Sequence, residues 1–317
     1  MEKKVLKLLE ENRGKPISGN RMAQILGVSR NSVWKAITKL KDTGYPILSA
    51  TRRGYLLSEE SDILSSEGIL PHLTHKECGD HLEVFSTIDS TNRYLKEAAA
   101  AHAPDWSVAV ANEQTAGRGR MDRSFYSPAG SGIYMSILMR PDWASDDIVF
   151  LTVTAAVAVR RALYRLTQKD IGIKWINDLY LDKKKICGIL CEGGFEMESG
   201  RIGFAVVGIG MNIHPADFPQ ELRTIAGSLT HDPINRNKVV AAVLDELYEM
   251  THPLNKKAVL EEYKTHSIVL GKEVTVISEN RLEKAVAIDI DSDAHLIVRY
   301  PSGEESALFS GEVRVKL

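Results

Sequence analysis

Residues 113–125 read EQTAGRGRMDRSF, and in this stretch Arg118, Arg120 and Arg123 alternate with glycine and polar residues. Glycine lets a backbone bend closely around a bound molecule, while arginine supplies a fixed charge and forked donors for carboxylate or phosphate. The spacing fits neither the Walker phosphate loop nor the glycine fingerprint of dinucleotide-binding folds. The stretch therefore predicts a loop that becomes ordered around an anionic ligand, or else an RNA-binding or merely flexible basic loop.

On both sides of this loop, strand and helix patterns alternate from about residue 62 to residue 265. Short apolar runs predict strands at 82–86, 106–111, 132–139, 173–175, 179–182, 185–192 and 202–208. Longer amphipathic runs predict helices at 91–101, 146–166, about 235–252 and 255–265. This alternation is typical of a mixed α/β domain.

Two further segments of this region have both a structural and a functional interpretation. The run DSTN at 89–92 begins a helix, so its side chains either cap the free amide groups or face a polar ligand. The run KWIND at 174–178 places Asn177 and Asp178 in a turn between strands. Ordinary turn chemistry explains them, and so does a carboxylate that contacts ribose or a metal ion.

A lysine and a pair of glycines complete the set of candidate site residues. Lys185 begins an apolar strand, either as a solvated edge residue or as a cation in an anion-binding pocket. Gly208 and Gly210 lie at the end of another apolar strand and allow a ligand to approach the backbone closely. Asn212 follows them and offers an amide at the same place.

The first 58 residues predict three helices followed by a β-hairpin, the arrangement of a winged helix-turn-helix. Ser18 and Ser29 are placed to cap the second and third helices, which Gly27 and Gly44 end. The predicted apolar faces comprise Val5, Leu6, Leu8 and Leu9 in the first helix, Met22, Ile25 and Leu26 in the second, and Val33, Ile37 and Leu40 in the third.

The third helix and the hairpin tip carry basic and amide side chains that suit DNA. Arginine and lysine bind phosphates, and asparagine or arginine can read base edges in the major groove. A solvated face that mediates only protein contacts is the alternative. The predicted DNA-binding residues are Gly19, Ser29, Arg30, Asn31, Ser32, Lys35, Lys39, Arg52 and Arg53.

Composition limits the remaining possibilities. The 317 residues allow two or three domains, and the net charge of −2 confines any DNA contact to a local basic patch. The sequence has no apolar run of the roughly 20 residues that a membrane span needs and no signal-peptide profile. Cys78, Cys187 and Cys191 are expected to be reduced thiols in a cytoplasmic protein, since no histidine or cysteine pair near Cys187 and Cys191 completes a metal site.

After residue 268 the pattern changes to short β runs at 274–276, 285–290, 296–300 and 313–316, separated by turns. This spacing suits a small β-barrel.

In combination and in this order, the arginine loop, the Lys-Trp-x-Asn-Asp run and the Lys185-x-x-Gly188-Ile189-Leu190 run resemble the bacterial biotin–protein ligases of the bifunctional class, also called biotin operon repressors. The resemblance covers essentially the whole chain. It implies an α+β multidomain fold with a winged helix-turn-helix at 1–60, a mixed α/β ligase core at 61–267 and an SH3-like β-barrel at 268–317.

The resemblance also implies a two-step reaction and a set of partners. The biotin carboxylate attacks the α-phosphorus of ATP, which gives biotinyl-5′-AMP and pyrophosphate. A lysine ε-amine of a biotin carboxyl carrier protein then attacks the mixed anhydride. Mg²⁺ is expected with ATP, its ligands being unknown, and operator DNA is expected to bind a homodimer that carries the adenylate.

Site residues follow from the resemblance position by position. The implied catalytic cations are Lys185, Arg118 and Arg120. The implied biotin-binding residues are Ser90, Thr91, Asn92, Gln114, Gly117, Arg118, Gly119, Arg120, Lys185, Gly188 and Leu190. The implied nucleotide-binding residues are Arg120, Arg123, Phe125, Asn177, Asp178, Lys185 and Asn212. Three positions depart from the family pattern: Asp122 stands where glycine is frequent, Phe125 where tryptophan is common, and Ile176 where proline is frequent.

Two other functions are compatible with parts of this pattern. A lipoate–protein ligase shares the core and the adenylate chemistry, but the winged helix and the C-terminal barrel favour biotin. A transcription factor that only senses a ligand would not need Lys185 and the full arginine loop, since sensing requires no contact with the α-phosphate.

Overall fold

The computed structural model of this chain describes residues 1–50, 53–140, 148–195, 202–278, 281–309 and 312–315. An N-terminal helical region with a hairpin is followed by a seven-stranded mixed sheet flanked by helices, and then by a five-stranded antiparallel sheet. This order confirms the predicted α+β multidomain fold class.

The N-terminal region is a winged helix-turn-helix. It contains helices α1 (Glu2–Glu11), α2 (Gly19–Leu26) and α3 (Arg30–Asp42) and the strands β1 (Ile47–Ala50) and β2 (Gly54–Leu57). The Ser18 and Ser29 hydroxyls accept hydrogen bonds from the backbone N–H groups of Arg21 and Ser32, as predicted. Arg52 of the wing lies outside the described residues.

The prediction that Ile25 belongs to the N-terminal core is wrong. Ile25 is 48% exposed, whereas Met22 and Ala23 of the same helix are buried. At about 100° per residue, Met22, Ala23 and Leu26 share one arc of a short helix, and Ile25 falls outside it. The predicted apolar positions of α1 and α3 are all buried.

The central sheet has the order β3-β4-β5-β9-β8-β7-β6. Only the first pair is parallel. Its strands are β3 (His81–Phe85), β4 (Ser107–Ala111), β5 (Gly132–Met139), β6 (Gly172–Lys174), β7 (Asp178–Leu181), β8 (Lys184–Phe195) and β9 (Ile202–Asn212).

Helices cover the two faces of this sheet unequally. The helices of this region are α4 (Ser66–Ile69), α5 (Thr91–Ala100), α6 (Ile148–Thr167), α7 (Arg236–Thr251) and α8 (Lys256–Thr265), with 3₁₀ turns at Leu70–His72 and Lys76–Gly79. The buried helix α6 contacts β6, β7, β8 and β9, while α5 contacts β4, β5 and β9. The helix α5 covers only the β4, β5 and β9 end of the opposite face of the sheet. The part of that face formed by β7 and β8 is therefore left open by the helices.

The C-terminal region is an antiparallel sheet with the order β13-β12-β11-β10-β14. Its strands are β10 (Glu273–Ser278), β11 (Arg281–Ile290), β12 (Leu296–Arg299), β13 (Glu305–Leu308) and β14 (Glu312–Val315). The predicted last run ended at Lys316, which lies outside the described residues. The strand β13 was not predicted, because its short ESAL sequence lacks a clear alternation. The Trp175 indole donates a hydrogen bond of 3.0 Å to the carbonyl of Ala294, which joins this sheet to the central region.

Arg236 anchors the segment that leads from the wing into the central region. Its buried guanidinium donates to the Asp62 carboxylate at 2.7 Å, to the Asn112 side chain at 3.0 Å and to the Gly132 carbonyl at 2.9 Å. Gly132 pairs with Asn212 in the sheet. The segment that follows the wing is therefore tied to the rim of the open sheet face.

Among the described residues, the helices are all too short or too polar to cross a membrane.

Candidate active site

The floor of the candidate site is a patch of sheet without side chains. Gly188 lies opposite Gly210 in the pairing of β8 with β9. A Cβ atom on Gly210 would lie 2.5 Å from Cε1 of Phe125, and one on Gly188 would lie 3.3 Å from Cε2 of the same ring. The bare glycine pair therefore forms the seat on which the Phe125 ring rests.

Asn92, at the start of α5, rests on a second part of the glycine floor. Its amide nitrogen donates to the Glu192 carboxylate at 2.8 Å and to the Leu190 carbonyl at 3.2 Å, while its amide oxygen accepts from the Ser136 hydroxyl at 2.6 Å. A Cβ atom on Gly208 would collide with the Asn92 amide oxygen and lie 2.7 Å from Cγ. The buried Asn92 amide is thus held by three hydrogen bonds and by its packing on Gly208.

Gln114 connects the start of α5 to the arginine segment. Its side-chain oxygen accepts from the backbone N–H of Thr91 at 2.9 Å and from the Thr91 hydroxyl at 3.1 Å, and its nitrogen donates to Ser127 at 3.2 Å. The Thr91 hydroxyl also accepts from Ser136 at 2.7 Å. Thr91 therefore lies behind the wall of the site and holds Gln114 in place.

The arginine segment forms a small hairpin over the floor. The N–H of Gly119 donates to the carbonyl of Arg123 at 2.7 Å, and that of Phe125 donates to Gly117 at 2.9 Å. Met121 and Asp122 at its tip both have positive φ, at 57° and 54°, as the central residues of a type I′ turn do. The predicted ligand-ordered loop thus has regular structure of its own.

Lys185 and Asp178 form the charged end of the site. The Lys185 ammonium lies 2.6 Å from the buried Oδ1 of Asp178, an ion pair without hydrogen-bond geometry. A bulge in the pairing of β7 with β8 sets Lys185 opposite Tyr180 and Cys187 opposite Leu179. Arg120 approaches the same end, where its guanidinium donates to the Asn177 side chain at 3.1 Å.

These parts enclose a cavity of about 330 Å³, a size that suits a small molecule. Most residues predicted for biotin and nucleotide line it: Ser90, Asn92, Gln114, Arg118, Gly119, Arg120, Arg123, Phe125, Asn177, Asp178, Lys185, Gly188, Leu190 and Asn212. Thr91 and Gly117 do not, since Thr91 faces the Gln114 network and Gly117 packs closely against Phe125 and Ser127.

Comparisons with known proteins identify the family. Residues 84–212 match the biotin/lipoate A/B protein ligase family, and residues 2–56 match a helix-turn-helix domain. The chain is 32% identical to the bifunctional ligase/repressor BirA of Bacillus subtilis, over 99% of this chain and 98% of that protein. The chain belongs to the bifunctional ligase/repressor family.

Two further comparisons agree with this assignment. The bifunctional ligase/repressor BirA of Escherichia coli is 32% identical over 62% of this chain and 59% of its own length. The structure of the biotin protein ligase of Aquifex aeolicus in complex with biotin and ATP is similar with a TM-score of 0.64. That likeness has 26% identity and covers 75% of this chain and 99% of that chain.

One wall of the cavity in this member of the bifunctional ligase/repressor family was missed by the sequence analysis. Phe218, Leu222, Ile225 and Ala226 line the cavity from a connection without regular structure. The N–H of Lys185 donates to the Ile225 carbonyl at 2.8 Å, which fixes this connection against β8. Three apolar side chains in an otherwise polar stretch are the signal that could have found it.

Asp122, one of the departures from the bifunctional ligase/repressor pattern, occupies a backbone conformation that favours glycine. We expect Asp122→Gly to relieve a left-handed φ and to remove a negative charge beside the arginines. Asp122→Asn removes only the charge, because asparagine tolerates the same φ. If the negative charge of Asp122 is what weakens ATP binding, both variants should have a KM for ATP severalfold lower than the wild type. If the left-handed φ is the cause, only Asp122→Gly should have the lower KM. Equal KM values in all three proteins would contradict both effects.

Glu192 carries a negative charge beneath Asn92. Partial burial works to raise its pKa, but hydrogen bonds from Lys96 and Asn92 outweigh burial, so the pKa lies below the ordinary 4.5. The Lys96 ammonium is 2.6 Å from the carboxylate. A carboxyl group whose folded pKa is lowered stabilises the fold above its unfolded pKa and loses that contribution as the pH falls through the folded value.

We therefore expect Glu192→Gln to destabilise the protein at pH 7 by no more than about 1 kcal/mol, because the pair is partly solvated. The difference from wild type should shrink as the pH falls below about 4.5. Urea unfolding midpoints of the wild type and Glu192→Gln at pH 7 and pH 4 measure this difference in stability. A difference that stays constant between the two pH values would mean that the charge of Glu192 contributes nothing.

The cysteines of this bifunctional ligase/repressor are free thiols. Burial raises the pKa of Cys78 and of Cys191 to about 12. Burial also raises the pKa of the fully buried Cys187. Since a thiolate is the reactive form, burial disfavours nucleophilic chemistry at these side chains, and none of the three lines the cavity.

The predicted DNA-binding residues occupy different positions. Arg30, Asn31, Lys35 and Arg53 are exposed. Ser29 caps the start of α3, and its hydroxyl lies 2.9 Å from that of Ser32 in the first turn. Gly19 is buried beneath Tyr55, and the exposed Lys39 pairs with Glu2 at 2.9 Å on the flank of the helix, where α1 adjoins it. Both positions stay predictions.

Proposed function

We propose that this chain is an ATP-dependent biotin–protein ligase that also acts as a biotin-responsive transcriptional repressor. It would form biotinyl-5′-AMP and transfer biotin to a lysine of a biotin carboxyl carrier protein. The observation that carries the proposal is one cavity lined both by the glycines of β8 and β9 and by the cations Arg118, Arg120 and Lys185. An acid with an uncharged body and an anionic end fits both parts.

The uncharged half of the cavity suits the ring system and chain of biotin. Gly208, Leu190 and the Asn92 amide line this half, and Gly188 lies where it meets Lys185. Ser90 and Gln114 present donors and acceptors at the far wall. These polar groups are held by hydrogen bonds to the protein, so the site is organised before a ligand binds.

The charged half suits the reaction that follows. Biotin carboxylate and the α-phosphate of ATP repel each other, so the first step needs positioning and neutralisation of charge. Lys185 would contact both anions and stabilise the charge that develops on the phosphoryl oxygens. Arg118 and Arg120 of the hairpin would close over the carboxylate and the adenylate phosphate. Asp178, 2.6 Å from the Lys185 ammonium, would hold it where these anions would meet.

The nucleotide would lie along the hairpin and the end of β9. Arg123, Phe125, Asn177 and Asn212 line this part of the cavity, with the Phe125 ring available for contact with a base. The second step needs an unprotonated lysine amine of the carrier protein, which attacks the biotinyl carbonyl and displaces AMP. Arg118, Arg120 and Lys185 would then stabilise the charge on the departing phosphate.

Mg²⁺ fits this donor set as a partner of the phosphates. Asp178 is the one carboxylate among the described residues that line the cavity, and it would share its charge between Lys185 and the ion. Mg²⁺ in nucleotide sites commonly uses one or two carboxylates beside substrate phosphates, whose charge it neutralises. Asp178 is therefore the residue that would hold it.

Release of pyrophosphate tests the ligase proposal. Purified protein is incubated with ATP and with biotin, lipoate or no acid. We expect release with biotin alone. Release with lipoate instead would identify a lipoate–protein ligase, and no release with either acid would leave a ligand-sensing transcription factor.

The repressor part of the proposal rests on α3 and the wing. Operator DNA would contact Arg30, Asn31 and Lys35, and a homodimer formed by adenylate-bound chains would cover two half-sites. We assign a role to each predicted domain. Residues 1–60 would bind DNA, residues 61–267 would catalyse ligation, and residues 268–317 would complete the ligase. Both activities would take place in the cytoplasm, where ATP, the carrier protein and DNA are available.

A further inference from the structure

An aromatic ring lies on the surface that would face DNA. Trp34 of α3 is 53% exposed. Among the described residues its indole N–H has no hydrogen-bond partner. Burial of a tryptophan side chain in an interface contributes strongly to the free energy of binding. An exposed ring on a binding surface therefore suggests a contact that forms with a partner.

The periodicity of α3 places this ring within the exposed face. At about 100° per residue, Asn31, Trp34 and Thr38 lie within a narrow arc, with Lys35 and Lys41 at its two edges. The opposite face contains the buried residues Val33, Ala36, Ile37 and Leu40. A helix that enters a groove with this face leading presents Asn31, Trp34 and Thr38 to its ligand.

The charges around the ring favour DNA as the partner. The helix has four basic residues and one acidic residue, Asp42. Lys41 bonds to Ser49 at 3.3 Å, which keeps its charge beside the wing. Basic side chains at the edges of a helix suit the two phosphate backbones that border a major groove, and an uncharged centre suits base edges.

We propose that Trp34 is a sequence-reading residue whose ring packs on the C5-methyl group of a thymine in the major groove. Asn31, one turn earlier, would bind the neighbouring adenine. The chemistry supports this pairing, because thymine alone presents a methyl group there and asparagine can bind adenine through two hydrogen bonds. The inference rests on the proposed DNA-binding function and adds to it that α3 recognises A·T pairs.

A thymine-to-uracil scan tests the contact. The full-length protein, with biotin and ATP, first selects duplexes from a randomised DNA pool. Each thymine of the selected sequence is then replaced by deoxyuridine, which removes only the methyl group. At one thymine in each half-site, the deoxyuridine replacement should lower the affinity of the wild type severalfold. On the unmodified sequence, Trp34→Ala should bind no more than about tenfold more weakly than the wild type. The affinity of Trp34→Ala should not change when deoxyuridine replaces that thymine.

Controls separate this contact from loss of folding and from loss of DNA binding. Alanine favours a helix, so Trp34→Ala should keep the fold and the pyrophosphate release of wild type. Lys35→Ala should weaken specific and non-specific DNA alike and reduce the salt dependence, as loss of a phosphate contact does. Trp34→Ala should leave the salt dependence and the affinity for non-specific DNA unchanged.

The outcomes distinguish the inference from the function on which it rests. If the wild type selects no sequence, the DNA-binding proposal itself fails. If a sequence is selected but wild type and Trp34→Ala respond alike to every deoxyuridine, the thymine contact is refuted. A variant that binds DNA like the wild type but has a changed oligomeric state would assign Trp34 to a contact between two copies of the chain.

Discussion

Lys185→Ala is expected to lower the rate of adenylate formation by at least about 10³-fold, which corresponds to roughly 4 kcal/mol in the barrier. The substitution removes the cation that would neutralise the two reacting anions. It also leaves Asp178, from which the ammonium lies 2.6 Å away, without its ion-pair partner inside the cavity. The remaining carboxylate then repels the incoming biotin carboxylate. Single-turnover release of pyrophosphate measures the rate of this step.

Lys183→Gly is the matched control for this substitution. It removes the same charge two residues away, and glycine readily adopts the φ of 66° that Lys183 has in the exposed turn. We expect its rate to stay within about twofold of the wild type, since Lys183 does not line the cavity. A Lys185→Ala rate within about tenfold of the wild type, or an equal loss in both variants, would remove Lys185 from the role proposed for it.

Gly208→Ala is expected to raise the KM for biotin by roughly 5- to 150-fold, the range that corresponds to 1–3 kcal/mol of overpacking. The added methyl group would collide with the Asn92 amide, which cannot move aside without breaking its bonds to Ser136, Glu192 and Leu190. Isothermal titration of the variant with biotin separates this loss of binding from a change in the rate of the chemical step.

A double variant tests the stated cause of this effect. Asn92→Ala removes every atom that the new methyl group would meet within 3 Å. Adding Gly208→Ala to it should therefore change biotin affinity by no more than about twofold, so that the two substitutions are not additive. Additive losses would show that Gly208 contributes through something other than the space it leaves for Asn92.

Sequence periodicity predicted the elements of this fold well because most of them have one buried face. The helix starting at Thr91 begins where a serine cap indicates it, and the strand Gly132–Met139, which is buried throughout, begins where a continuous apolar run indicates it. Ile25 was misplaced because an eight-residue helix has too few positions for the pattern to distinguish a core face from its edge.

The motifs of the site were found because each concentrates unusual residue types in a few positions. Contacts between distant segments were not predictable in the same way. The wall formed by Phe218, Leu222 and Ile225 depends on a backbone bond from Lys185 that bridges some forty residues of chain. The seat of Phe125 on Gly188 and Gly210 depends on the register of two strands, which local propensity does not determine.

The most direct test of the central claim identifies what the single cavity holds after the first step. The protein is incubated with ATP, Mg²⁺ and an equal mixture of biotin and lipoate, isolated by gel filtration and denatured, and the released small molecule is analysed by mass spectrometry. A cavity that joins a biotin site to an α-phosphate site predicts biotinyl-5′-AMP, at about one molecule per chain and absent from Lys185→Ala. Retention of lipoyl-AMP, or of unreacted biotin without an adenylate, would contradict the account.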